Sequence, residues 1–175
     1  KVAFVSLGCA KNLVNTEQMM ALCRRAGYDV TGETEGADVA VLNTCGFIES
    51  AKTEAIENIL EACSYKQQNP DLKVIVTGCL AERYRSQIEE EIPEVDAVVG
   101  CASNKAIDTI VERLFHGEDH LESYGAKKDF PLGGKRVIGT PAHYAYLKIA
   151  EGCNNRCHYC AIPGILSLIH ISEPT

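Results

Sequence analysis

Short runs rich in valine and isoleucine alternate, over the first two thirds of the chain, with longer stretches of helical periodicity. Strands are predicted at Val2 to Leu7, Tyr28 to Thr31, Val39 to Asn43, Lys73 to Thr77 and Ala97 to Val99. Helices are predicted at Asn12 to Arg25, Ile48 to Lys66, Glu82 to Glu91 and Asn104 to His116. This alternation predicts a flavodoxin-like doubly wound α/β fold, whose parallel strands have the order 2-1-3-4-5 and are buried on both faces.

Residues that commonly cap or end helices lie at the boundaries of the predicted helices. Ser103 or Asn104 is expected to cap the last helix, and Gly27 and Gly117 are expected to end helices.

With 46% hydrophobic and 23% charged residues, the 175-residue chain is typical of a globular protein. A net charge of −7 argues against nucleic-acid or lipid binding by bulk charge. No apolar run approaches the roughly 20 residues of a membrane span, and no secretory signal is evident, so we expect a cytoplasmic protein.

The chain divides into four parts. Residues 1–117 form the first domain, and residues 118–141, which include Pro131 and two adjacent glycines, are expected to be a linker. Residues 142–164 begin a second domain with a strand from Tyr144 to Ile149, followed by a polar loop with cysteines. Residues 165–175 form the tail, which is considered separately below.

A strand followed by small polar residues and then a cysteine recurs four times in the first domain, at Cys9, Cys45, Cys79 and Cys101. The first three follow strands that are neighbours in the predicted order, about 4.8 Å apart, so their sulfurs can converge on one metal cluster. The alternative is that each is a small buried apolar residue. Cys101 follows a strand that is expected at the sheet edge. Its sulfur is therefore expected to lie one strand further from the metal cluster than the other three. The helical Cys23 and Cys63 are expected to pack in the core.

Three further cysteines, Cys153, Cys157 and Cys160, have the spacing C-x3-C-x2-C within eight residues. Such a local set of thiolates suits an iron–sulfur cluster in which one iron lacks a protein ligand. A structural zinc site is the alternative, but it usually needs a second pair of cysteines, and none follows.

The run from Cys153 to Cys160 resembles the radical S-adenosylmethionine signature C-x3-C-x-aromatic-C, with Tyr159 as the aromatic residue. The closest resemblance is to the methylthiotransferases, which have three separated cysteines in the N-terminal domain. Matching motifs cover roughly residues 1–165. They are Ser6 to Asn12, Asn43 to Ile48, Val76 to Leu80, His143 to Ile149, Glu151 to Cys153 and Ala161 to Pro163.

Three of these motifs separate two branches of the family. The Ser-Leu-Gly-Cys-x-Lys-Asn run, Gly46-Phe47-Ile48 and the His-Tyr-Ala-Tyr-Leu-Lys run resemble the branch that modifies ribosomal protein uS12 (RimO-type). The branch acting on transfer RNA (MiaB-type) usually differs there and would gain more from a basic surface. The uS12 branch is therefore favoured, and the transfer-RNA branch is kept as the alternative.

This resemblance implies cofactors, site residues and partners. Cys153, Cys157 and Cys160 would hold a [4Fe–4S] cluster whose open iron binds S-adenosylmethionine, with Tyr159 near that cofactor. Cys9, Cys45 and Cys79 would hold an auxiliary [4Fe–4S] cluster that serves as sulfur carrier. The reaction would add a methylthio group to the β-carbon of an aspartate of uS12. The implied partners are uS12 or the small ribosomal subunit, and an electron donor such as flavodoxin or ferredoxin.

Four polar residues lie near the first cysteine group in sequence: Lys11, Asn12, Glu17 and Asn43. They could hydrogen-bond cluster sulfides or guide the substrate, or they could only cap and solvate the loops. His158, inside the second cysteine group, is expected to face solvent.

The tail, residues 165–175, departs from the family pattern, and we interpret it as aberrant and without function. The chain is then expected to be an N-terminal fragment with the first strand and cluster loop of a truncated βα barrel, inactive by itself. The alternative outside the enzyme class is a non-catalytic iron–sulfur binding module that uses the same cysteines.

Overall fold

The centre of the fold is a six-stranded, wholly parallel sheet. The computed structural model describes residues 1–126 and 133–171. The strand order is β2-β1-β3-β4-β5-β6. These strands are β1 (Val2–Ser6), β2 (Val30–Thr31), β3 (Val39–Thr44), β4 (Lys73–Gly78), β5 (Ala97–Val99) and β6 (Leu121–Ser123). The predicted α/β class and the order of the first five strands are confirmed.

Strand β6 was missed, because it falls in the range predicted to be a linker. It pairs with β5 in parallel, from Ala97 opposite Leu121 to Val99 opposite Ser123. Only Leu121 of its three residues is apolar and buried, so its sequence lacks the apolar run that marks the other strands. As a result β5 is an internal strand, and the expectation that it forms the sheet edge was wrong.

Helices cover both faces of the sheet. They are α1 (Ala10–Arg25), α2 (Glu49–Ser64), α3 (Cys79–Arg83), α4 (Arg85–Glu91) and α5 (Ile107–Phe115), with 3-10 turns at Tyr65–Gln67 and Cys101–Ala106. The helix predicted at Glu82 to Glu91 is therefore two helices that meet at Tyr84. The proposed cap at Ser103 or Asn104 was wrong, because both residues lie inside the 3-10 turn and Ala106 precedes α5. Gly27 and Gly117 lie just after the ends of α1 and α5, as predicted, and both have positive φ.

The core has two halves because successive side chains of each strand point to opposite faces. On one face Leu42, Val74 and Val76 pack with residues of α2 and α4. On the other face, Val41 and Ile75 of the same strands pack with residues of α1 and α5. Cys23 and Cys63 are buried in these two halves, which confirms their prediction as core residues.

Residues 133–171 form little regular structure. The strand predicted at Tyr144 to Ile149 was wrong: these residues are irregular, and a two-residue strand, β7 (Ala150–Glu151), follows them. Its antiparallel partner is β8 (His170–Ile171), and α6 (Ile162–Leu166) lies between the two. An apolar run becomes a strand only where a neighbouring strand satisfies its backbone, and within the described residues none lies beside 144–149.

Nothing in the described part of the chain is a helix with both the length and the apolar character needed to span a bilayer. Pro131 and the last four residues of the tail lie outside the described residues.

Candidate metal centre

Three cysteines follow adjacent strands at the carboxyl edge of the sheet. Cys9 immediately precedes α1, Cys45 follows β3 directly, and Cys79 is the first residue of α3 after β4. Because β1, β3 and β4 are neighbours, their loops share this edge. Cys9 is exposed, whereas Cys45 and Cys79 are buried. Cys9 and Cys45 line one open pocket of about 580 Å³.

Glycines allow these cysteine loops to pack backbone against backbone. Gly8 and Gly78 both have positive φ, +87° and +97°. A side chain at Gly8 would overlap the side chain of Cys45, and one at Gly78 would overlap the carbonyl oxygen of Thr44. A Cβ atom at Gly46 would lie 2.9 Å from the carbonyl oxygen of Cys79. Close approach of this kind is the usual reason for glycine beside a binding loop.

Cys101 lies beside Cys79 rather than further away, because β5 pairs directly with β4. The hydrogen bond from the Cys101 thiol lowers the pKa of Cys79, while the same contact and burial raise the pKa of Cys101. Burial also raises the pKa of Cys45, and charge on Cys79 and Cys9 raises it further. Cys45 is therefore close enough to both Cys9 and Cys79 to be influenced electrostatically by their charges.

The thiol chemistry of Cys9, Cys45 and Cys79 suits an iron–sulfur cluster, and their role as its ligands stays a prediction. Within the described residues, no three His, Cys, Asp or Glu side chains are grouped tightly enough to hold one metal ion. Thiolates are the ligands that iron–sulfur clusters use.

The amide groups of Asn12 and Asn43 tie the cysteine loops together. Asn12 Nδ2 donates to the carbonyl oxygens of Leu7 and Thr44, each at 3.0 Å. Asn43 Nδ2 donates to the carbonyl oxygen of Asn12 at 2.8 Å and to Thr16 Oγ1 at 3.0 Å. Both donor groups are thus used within the protein, which favours loop capping over contact with cluster sulfides.

The second cysteine group lies in an irregular loop. Cys153 and Cys160 are half-buried and Cys157 is exposed. The Cys160 amide donates to the carbonyl oxygen of Cys157 at 3.0 Å, and the Cys153 amide donates to that of Ser167 at 3.3 Å. Tyr159 is 87% exposed, and His158 faces solvent as expected. The ligand roles of these cysteines and the role of Tyr159 stay predictions.

A polar face of α1 binds the segment that leads to this loop, and sequence reasoning missed most of it. The Glu17 carboxylate accepts from the Gly139 amide at 2.8 Å and pairs with Arg136 at 3.5 Å. Gln18 Nε2 donates to the carbonyl oxygen of Gly133 at 3.0 Å. Four consecutive polar residues, 15–18, are all buried, and this unbroken run on one helix was the available signal.

The first residues of the tail pack beside the first cysteine group. Ile165 and Leu166 are buried in one apolar cluster with Cys79, Cys101 and Ala102. The interpretation of residues 165–175 as aberrant stays a prediction, but its described part contacts the candidate centre.

Fold and site together define an α/β protein with cysteine-bearing loops gathered at the carboxyl edge of a parallel sheet. Residues 1–114 match the family model described as "Uncharacterized protein family UPF0004". That match spans well over half of the chain, so the chain belongs to the UPF0004 family.

Curated relatives extend the comparison beyond residue 114. The chain is 50% identical over 165 residues to "Ribosomal protein uS12 methylthiotransferase RimO" of Caldicellulosiruptor saccharolyticus, which covers 93% of this chain and 37% of that protein. The proteins of the same name from Acetivibrio thermocellus and Symbiobacterium thermophilum are 46% and 45% identical, over 94% and 99% of this chain and 38% and 36% of their own lengths. The chain thus spans little more than a third of these relatives.

Proposed function

We propose that this chain is part of a radical S-adenosylmethionine methylthiotransferase that modifies the β-carbon of an aspartate in ribosomal protein uS12. The main support is its 45–50% identity to proteins named as uS12 methylthiotransferases, over more than nine tenths of its length. The arrangement of Cys9, Cys45 and Cys79 around one sheet edge agrees with a cluster-binding domain.

In this proposal each cysteine group binds one [4Fe–4S] cluster: Cys9, Cys45 and Cys79 the auxiliary one, and Cys153, Cys157 and Cys160 the other. When bound, the clusters and S-adenosylmethionine would supply the sulfur and the one-electron chemistry needed to functionalise an unreactive carbon. The protein itself would position the clusters and shield them from water. Burial of Cys45 and Cys79 limits water access, and the Asn12 and Asn43 amides fix the loops around them. Tyr159 is placed in this proposal near S-adenosylmethionine.

We also propose uS12, or the small ribosomal subunit that contains it, as the macromolecular partner. A flavodoxin or ferredoxin is the proposed electron donor, and the cytoplasm the compartment in which both partners occur. The net charge of −7 is consistent with a protein substrate rather than transfer RNA.

Metal analysis tests the cluster assignment on the chain as given. Iron, sulfide and zinc are measured per chain after anaerobic reconstitution, for the wild type and two triple variants. One variant is Cys153→Ala, Cys157→Ala and Cys160→Ala, and the other is Cys9→Ala, Cys45→Ala and Cys79→Ala. We expect about eight irons in the wild type and about four in each triple variant, as two separate [4Fe–4S] clusters require.

The buried Cys23→Ala is the matched control, because it removes a core cysteine that the proposal does not use. It is expected to keep the full iron content. Stoichiometric zinc, or an iron content that neither triple variant changes, would exclude the two-cluster assignment.

The proposed identity of the substrate can be tested in the organism that carries the gene. Deleting the gene is expected to remove the methylthio group from the uS12 aspartate, as seen by mass spectrometry of the isolated ribosomal protein. If the modification instead disappears from a transfer-RNA nucleoside, the chain belongs to the other branch.

A further inference from the structure

Lys148 is a buried cation in the irregular segment just before the second cysteine group. Its side chain is 2% exposed, although the residue itself belongs to no helix or strand. Lys148 Nζ donates to Asn15 Oδ1 on α1 at 2.5 Å and to Glu151 Oε2 at 3.2 Å. A charge is tolerated at such burial only when partners of this kind replace the water it has lost.

Glu151 completes the charge cluster from the other side. Its carboxylate is also 2% exposed, and Oε1 lies 3.6 Å from Lys11 Nζ, too far for a hydrogen bond but close enough for an ion pair. Two lysines thus face one buried carboxylate. Because Lys148 and Glu151 are both shielded from solvent, removal of one of these two charges leaves the other poorly compensated.

The positions of these residues connect the two cysteine groups. Lys11 is two residues after Cys9, and Glu151 is two residues before Cys153. Lys11 and Asn15 lie one turn apart on α1, so the cluster fastens the start of the second loop directly to the helix that begins just after Cys9. The negative charge of Glu151 also reaches the Cys79 thiol, where it acts to raise the pKa of that group.

We propose that Lys148 and Glu151 are positioning residues that seat the Cys153–Cys160 loop against α1, and so fix its separation from the Cys9 group. The seating depends only on contacts within this chain. Its importance for catalysis rests on the proposed function, in which sulfur must travel from one cysteine group to a carbon activated at the other.

Hydrogen exchange on the iron-free chain tests the seating alone. In Lys148→Met the Glu151 charge loses its nearest partner, and we expect hydrogen-bonded amides of residues 148–160, such as that of Cys153, to exchange roughly a hundredfold faster. The combined Lys148→Met and Glu151→Leu variant removes both charges and is expected to recover most of this protection. Amides of β1, β3 and β4 are the internal reference for an intact fold.

Lys105→Met is the matched control, since Lys105 is an exposed lysine of the same chain outside the cluster. It is expected to leave exchange in residues 148–160 unchanged. Equal exchange in Lys148→Met and wild type would overturn the proposal, and so would a combined variant that exchanges as fast as the single one with the sheet still protected.

A spectroscopic measurement tests positioning rather than stability. After reconstitution and reduction, the wild type is expected to show magnetic interaction between two neighbouring clusters in its electron paramagnetic resonance spectrum. Lys148→Met is expected to retain the same iron content but to show a weaker interaction. An unchanged interaction in the variant, or none in a fully loaded wild type, would reject the positioning role. Absence of iron from the wild type would instead refute the proposed function, while the exchange result would still decide the seating.

Discussion

The Cys23 thiol lies in the core between α1 and the sheet, and its ionisation should make the protein sensitive to alkali. Burial, with a smaller contribution from Asp108, raises the pKa of Cys23 from 9.0 to about 12. A raised folded-state pKa means that stability is complete below pH 9 and is lost as the pH rises toward 12. Between pH 8 and pH 10.5 the Cys23 contribution amounts to about 2 kcal/mol of lost unfolding free energy.

Urea unfolding of wild type and Cys23→Ala at these two pH values measures this effect. The variant is expected to lose about 2 kcal/mol less than wild type over the interval. Cys157→Ala, which removes an exposed cysteine, should lose as much as wild type. A Cys23→Ala variant with the alkaline loss of wild type would show that Cys23 does not ionise on unfolding in this range.

Gly78 and Gly27 both have positive φ, yet they differ in the space around them. A Cβ atom at Gly78 would overlap backbone and side-chain atoms of β3, whereas none lies within 4 Å at Gly27. Gly27→Ala should therefore cost only the conformational penalty of about 1–2 kcal/mol. Gly78→Ala adds overpacking and should cost roughly 3 kcal/mol or more in unfolding free energy. Denaturant unfolding of both variants checks this, and equal losses would contradict the tight packing of the cysteine loops.

At the scale of elements, the segment 133–151 is held on α1 by contacts that should control its access to proteases. Glu17 accepts the Gly139 amide and pairs with Arg136, and Val137 donates to the carbonyl oxygen of Glu17. In Glu17→Ala the carboxylate contacts disappear, at a cost of about 1–3 kcal/mol. Trypsin should then cleave after Arg136 about ten to a hundred times faster, because cleavage follows the population of the opened segment.

The matched control for this change is Glu57→Ala, which removes an exposed glutamate in the middle of α2. It should leave the rate of cleavage after Arg136 unchanged. If Glu17→Ala is cut no faster than wild type, the carboxylate contacts do not hold the segment in place.

The elements that sequence predicted well are those with their own apolar pattern. Strands β1, β3, β4 and β5 were placed within one residue at each end, because they combine Val-rich runs with burial on both faces. Strand β6 lacks such a run, whereas residues 144–149 have an apolar run but no partner strand within the described residues. In both cases a neighbouring strand, present or absent, decides the structure, and local sequence contains no record of it.

At the scale of the whole molecule, topology made most of the first cysteine group predictable. Cys9, Cys45 and Cys79 could be brought together from strand order alone, since parallel strands present their carboxyl ends at one edge. The contact between Cys101 and Cys79 follows from the same strand order, because β5 pairs with β4, but it was missed. The buried pair of Lys148 and Glu151 could not be predicted, because it depends on tertiary packing of an irregular segment.

The chain of 175 residues is not expected to cleave S-adenosylmethionine, even with both clusters bound. A βα barrel needs eight strands to close around its core, whereas residues 133–171 provide only β7 and β8, paired antiparallel. Tyr159, next to the candidate cluster, is 87% exposed, so nothing in the described residues encloses a cofactor there. Anaerobic incubation of the reconstituted chain with S-adenosylmethionine and dithionite, followed by chromatography for 5′-deoxyadenosine, measures this directly. We expect no product above a cluster-free control. Sustained formation of 5′-deoxyadenosine that is lost in the Cys153, Cys157 and Cys160 triple variant would show that these residues suffice without a closed barrel.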